Sequence, residues 1–92
     1  MSRVLNRRDA NESELVAVWQ DFGALWIPMT RDTGFDGVLV YRGLNHIVEI
    51  KNPARKWELT DAEKKRKAEV EAAGGAYNIV QTKNDALRLL GF

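Results

Sequence analysis

The sequence predicts a small α/β domain in which a mixed β-sheet is flanked by helices, its elements running in the order αβββαβα. Three observations carry this. Leu15, Val18, Trp19 and Phe22 recur at helical spacing, and Asp36 to Tyr41 and His46 to Lys51 are adjacent β-branched runs around a glycine. A second helical segment then separates the hairpin from a further apolar run, a connection long enough for a parallel crossover.

Asn11 is placed to cap a first helix, with Glu14 three residues on completing a capping box, and Gly23 stops it. Ala24 to Met29 is too short for another helix; Pro28 near its end marks it as an edge strand. Thr30 to Gly34 is polar and reads as a loop. Asp36 to Tyr41 and His46 to Lys51 form an antiparallel hairpin across Arg42, Gly43, Leu44 and Asn45. Asn52 and Pro53 break the strand, and Thr60 with Glu63 caps a second helix reaching about Ala73. Gly74 and Gly75 stop that helix. Ala76 to Gln81 is the fourth strand, and Thr82 with Asp85 caps a short last helix.

Composition narrows the function classes. With 92 residues and 45% apolar side chains there is room for one domain, 1–92, whose small core a partner subunit would help stabilise. The absence of cysteine removes disulfide scaffolds, thiolate metal sites and cysteine nucleophiles, and suits a reducing cytoplasm. Met1 to Asp9 carries three arginines and no apolar core, and no stretch nears the ~20 apolar residues of a membrane span, so neither export nor a membrane partner is expected. The net charge of +1 points to no partner, yet Lys51 to Lys67 holds seven basic against three acidic residues, a local stripe suited to phosphates.

Strand parity puts Glu49 and Lys51 on one face and Val48 and Ile50 on the other, with Asp36 on the face of Val38 and Val40. A symmetric hairpin would set Tyr41 against His46, Val38 against Glu49 and Asp36 against Lys51. Asp36 would then lie roughly 5 Å from Lys51 and 7 Å from Glu49 between Cβ atoms. Two converging carboxylates offer the hard oxygen ligands that Mg²⁺ or Mn²⁺ prefers, and a neighbouring lysine can activate water or stabilise phosphoryl charge. That set suits metal-assisted phosphodiester hydrolysis. The same residues equally satisfy a cross-strand salt bridge on a solvated face.

Phe35-Asp36-Gly37, a hairpin and then Glu49-Ile50-Lys51 resemble the PD-(D/E)XK nuclease motif. Together with Asp9 to Val16, Leu59-Thr60 and Gly74-Gly75, they make the chain from about Arg8 to Leu90 similar to small phage-type VRR-NUC domains. The resemblance implies a restriction-endonuclease-like fold in which Asp36 and Glu49 bind Mg²⁺ or Mn²⁺ and Lys51 assists the attacking water. It implies a further metal ligand in the backbone carbonyl of Ile50 and an acidic residue from the first helix, where Glu14 fits better than Glu12. It also implies a homodimer acting on branched DNA, notably four-way (Holliday) junctions, in the host cytoplasm if the protein is phage-encoded. Phe35 stands where the family usually has proline, and Glu63 where many relatives carry glutamine.

Among the other charged residues, Arg55 and Lys56 neighbour the expected metal site and are expected DNA contacts, as are Lys64, Arg66 and Lys67 on the second helix. Arg66 interrupts the apolar stripe Leu59, Ala62, Val70, Ala73, so either its stem packs on the sheet or its head reaches the site. Glu63 has a capping role, Trp57 a core or subunit contact, and His46 a structural place. The reading is a metal-dependent DNA endonuclease. Its rivals are a non-catalytic DNA-binding subunit retaining the fold, and an interaction domain using Trp57, Phe92 and the basic helix.

Overall fold

A computed structural model describes the backbone of residues 7–92 and the side chains of residues 11–92. The reading of Met1 to Asp9 falls largely outside the described residues. The chain is a small α/β protein: helix α1 (Arg7–Asp21), strand β1 (Leu25–Pro28), a 3₁₀ turn (Arg31–Thr33), strands β2 (Gly37–Tyr41) and β3 (Leu44–Ile50), helix α2 (Asp61–Ala72), strand β4 (Tyr77–Val80) and helix α3 (Lys83–Leu89). Among the described residues no helix is long and apolar enough to cross a membrane.

The four strands lie in the order β1-β2-β3-β4, the first two pairs antiparallel and β3 with β4 parallel, α2 forming the crossover. β1 is an edge strand, and Pro28 ends it where its missing N–H costs least. Leu39, Val48, Ile50 and Val80 on one face form the core with Leu15 and Trp19 of α1 and Ala86 and Leu90 at α3. Trp19 is fully buried, stacks on Trp26 with ring centroids 5.2 Å apart and donates its indole N–H to the Ala86 carbonyl. The opposite face carries Glu49 and Tyr77 and receives α2 and the 3₁₀ turn.

Two expectations need correcting. The hairpin closes through two residues, Arg42 (φ 49°) and Gly43 (φ 81°), not four, because two left-handed positions give a turn whose twist matches the strands. The register therefore sets Leu39 against His46 and Tyr41 against Leu44. It has slipped by two residues from the symmetric expectation, which leaves every side chain on its expected face.

The second correction concerns α1, which begins at Arg7, so Asn11 and Glu14 lie inside the helix and form no capping box. Asn11 instead donates its side-chain amide to the Lys51 carbonyl, 3.2 Å away, tying α1 to the chain just past β3. The expected boxes at the other helices are formed: Thr60 with Glu63 on α2, and Thr82 with Asp85 on α3.

Candidate functional site

The ladder between β2 and β3 ends at Gly37 opposite Val48, and the next residue turns its side chain to a different use. Asp36, buried, accepts the Ile50 amide on Oδ2 at 2.7 Å, while its own amide donates to the Val48 carbonyl. A carboxylate thus takes the place of a backbone acceptor at the strand end. Glu49, on the same side of β3, is fully buried, and Lys51 Nζ stands 3.3 Å from its Oε2.

These three residues line a cavity of about 640 Å³ together with Glu63 and Thr60 from the start of α2 and Glu12 of α1. Glu63 lies within reach because the capping box fixes its rotamer. Its Oε1 accepts the Thr60 amide at 2.9 Å and Lys51 Nζ at 2.8 Å. Burial raises the Glu63 carboxyl, but the hydrogen bonds from Lys51 and Thr60 outweigh it and hold the group below the ordinary glutamate range. Tyr77 donates its hydroxyl to the Gly34 carbonyl at 2.6 Å. Burial first, and then the negative charges of Glu49 and Glu63, push this phenol well above its usual range.

The structure sorts the expected residues into two groups. Asp36, Glu49 and Lys51 come together. Glu14 is exposed and outside the cavity lining, whereas Glu12 is part of it: Glu12, Leu15 and Trp19 share the inward stripe at i, i+3 and i+7. The Ile50 carbonyl lies at the β3 end beside Asp36, whose carboxylate holds the amide of the same residue.

Arg55 and Lys56 are exposed in the segment after β3 and do not line the cavity. Lys64 is exposed 4.0 Å from Glu58, and Lys67 pairs with Glu71 one helical turn on. Arg66 donates Nε to the Thr33 carbonyl at 2.8 Å and Nη1 to Glu69, so the break in the apolar stripe is explained by a latch between α2 and the 3₁₀ turn. Trp57 is surface-held, its indole donating to Gln81 while its ring centre lies 5.9 Å from Lys51 Nζ. His46 is half-buried on β3, away from the cavity.

Sequence reasoning weighed Glu12 and ranked it below Glu14, although the inward stripe of α1 favours Glu12. It missed Arg31 and Tyr77, which no local pattern marks.

Among the described residues Glu12, Asp36, Glu49 and Glu63 line the cavity with Lys51 and Arg31, so carboxyl groups outnumber cations in a partly buried site, a surplus that a divalent cation would offset. Their oxygens are hard donors of the kind Mg²⁺ and Mn²⁺ take. Among the described residues no three acidic, histidine or cysteine side chains form a ready-made metal cluster. Compared with protein families, curated proteins and solved structures, the chain matches none.

Proposed function

We propose that this chain is a divalent-metal-dependent DNA endonuclease with a restriction-endonuclease-like fold, acting as a homodimer on branched DNA such as four-way junctions. The observation that carries this reading is the convergence of buried Asp36 and Glu49 with Lys51 in the lining of one cavity. An acidic pair buried at a strand end costs stability, and its position beside an open cavity supports a functional role in addition to the hydrogen bond Asp36 accepts from Ile50. Asp36 and Glu49, with the Ile50 carbonyl, are the residues that would hold Mg²⁺ or Mn²⁺. The cation when bound supplies Lewis-acid polarisation of the phosphate and lowers the pKa of water.

The chain's own groups do the rest. Lys51, fixed between Glu49 and Glu63, presents an ammonium to the charge that builds on the phosphoryl oxygens as water adds to phosphorus and loses a proton to solvent, while the P–O bond to the leaving strand breaks and its oxygen takes a proton from solvent. Glu63 and Trp57 restrict that ammonium to the cavity. For the dimer, the edge strand leaves Leu25 and Ile27 exposed, and Phe22 and Phe92 form a surface aromatic pair, apolar area of the kind a second copy covers.

A non-catalytic DNA-binding subunit is the second reading, favoured by the double ion pairing of Lys51, which also suits a salt-bridged remnant. Cleavage of a labelled four-way junction, a matched duplex and a single strand with Mg²⁺ or Mn²⁺ decides between them, with Glu49→Ala as control. Paired cuts confined to the junction and absent in the variant support the full proposal. Cuts on every substrate keep the nuclease and remove the junction preference; binding without cutting moves the assignment to the subunit.

A further inference from the structure

Among the described residues two cations line the cavity, Lys51 and Arg31, and they differ in one respect. Lys51 is ion-paired twice, whereas among the described residues no hydrogen bond or ion pair engages the Arg31 guanidinium, which is exposed at the cavity wall. An arginine normally finds a carboxylate when one is near; here the neighbouring carboxylates Glu63 and Glu49 are taken up with Lys51. Arg31 therefore offers five unused donors in a planar fork, the geometry that takes two oxygens of a phosphodiester at once.

The backbone under Arg31 is held, although the segment is a loop. Its two ends are joined by the Met29 amide donating to the Asp36 carbonyl at 2.9 Å, and the Thr33 amide closes onto Thr30. Arg66 grips the Thr33 carbonyl and Tyr77 the Gly34 carbonyl. Gly34 is left-handed (φ 84°) and pressed against α2, where an added Cβ would lie 2.8 Å from Arg66 Cβ and 2.9 Å from the Ala62 carbonyl. Asp36 and Arg31 thus belong to one closed loop and keep a fixed relation.

We infer that Arg31 is the phosphate-binding residue of this cavity, taking a DNA phosphodiester across from Asp36 and Glu49, and that Arg66 and Tyr77 are positioning residues that hold its loop. The inference rests on the nuclease reading for the identity of the anion. It also resolves an electrostatic difficulty of that reading: a polyanion approaching a cavity lined by four acidic residues, Glu12, Asp36, Glu49 and Glu63, is repelled, and a guanidinium free to meet it offsets the repulsion.

The test is equilibrium binding of a labelled four-way junction in EDTA across a salt series, for wild type, Arg31→Ala, Arg31→Lys and Arg66→Lys, together with the Mn²⁺-induced shift in Tm of each. Arg31→Ala is expected to weaken binding about tenfold, the loss of one charge-assisted contact. It should also flatten the plot of log K against log salt by about one unit while leaving the Mn²⁺ shift intact. Arg31→Lys should restore the slope but only part of the affinity, since it keeps the charge and loses the fork. Arg66→Lys should weaken binding at unchanged slope. Wild-type affinity and slope in Arg31→Ala would overturn the inference while leaving the nuclease reading to the cleavage assay. Absence of DNA binding by the wild type at low salt would overturn it as well, and cleavage by that same protein would show separately whether the nuclease reading survives.

Discussion

Glu63 holds Lys51 through the same oxygen that caps α2: Oε1 lies 2.8 Å from Nζ and 2.9 Å from the Thr60 amide. One atom therefore serves a helix terminus and a site side chain, and neither can be altered alone. Glu63→Gln keeps an acceptor for both and should retain α2. Glu63→Ala loses both bonds and should lower stability by about 1–2 kcal/mol, read by urea unfolding.

The depressed Glu63 carboxyl gives this pair a pH dependence of defined sign. A folded-state pKa below the unfolded one contributes stability that is complete above the ordinary glutamate value of about 4.3 and is lost as pH falls through the folded value. Tm should therefore fall less steeply on the acid side, from about pH 4.5 downward, in Glu63→Gln than in the wild type. Equal acid limbs for the two proteins would remove Glu63 from the linkage.

Tyr77 supplies the opposite limb. Its phenol is raised, so its contribution is complete below the ordinary tyrosine value of about 10 and declines as pH rises beyond it. Tyr77→Phe also leaves the Gly34 carbonyl without its donor. The variant should lose about 1–3 kcal/mol at neutral pH and show a shallower alkaline decline, measured by thermal melts from pH 7 to 11.

Glu49→Gln preserves volume and removes one of the carboxylates crowded around Lys51. In EDTA it should melt at or above the wild-type temperature, because a neutral amide replaces a fully buried carboxyl group crowded by other acidic residues. Under millimolar Mn²⁺ the wild type should overtake it. A variant less stable than wild type without metal would make Glu49 structural.

Much of the scaffold was legible because its signals are local. The boxes at Thr60 and Thr82 and the β-branched alternation of β2 and β3 each depend on residues within one turn or one strand, and strand parity alone placed Asp36, Glu49 and Lys51 on one face. What failed depended on distant partners. Asn11 has the chemistry of a cap but is recruited by the Lys51 carbonyl forty positions on, and the hairpin turn was decided by Arg42 accepting a left-handed conformation that arginine seldom takes. For Arg66 the sequence left a stem packed on the sheet or a head reaching the site; its bond to the Thr33 carbonyl depends on a loop more than thirty residues away.

Gly37, directly after Asp36, is neither a hinge nor a turn residue. A Cβ built there would come within 2.5 Å of the Trp26 ring and 2.6 Å of the Ile27 carbonyl, so the missing side chain is the space in which β1 lies against β2. Any larger residue must push the edge strand outward, and Met29, Thr30 and Arg31, which continue from that strand into the cavity wall, must travel with it. The width of the cavity mouth is in this sense set by a hydrogen atom, and enlarging that one position would change the shape of the cavity without replacing any of the charged groups that line it.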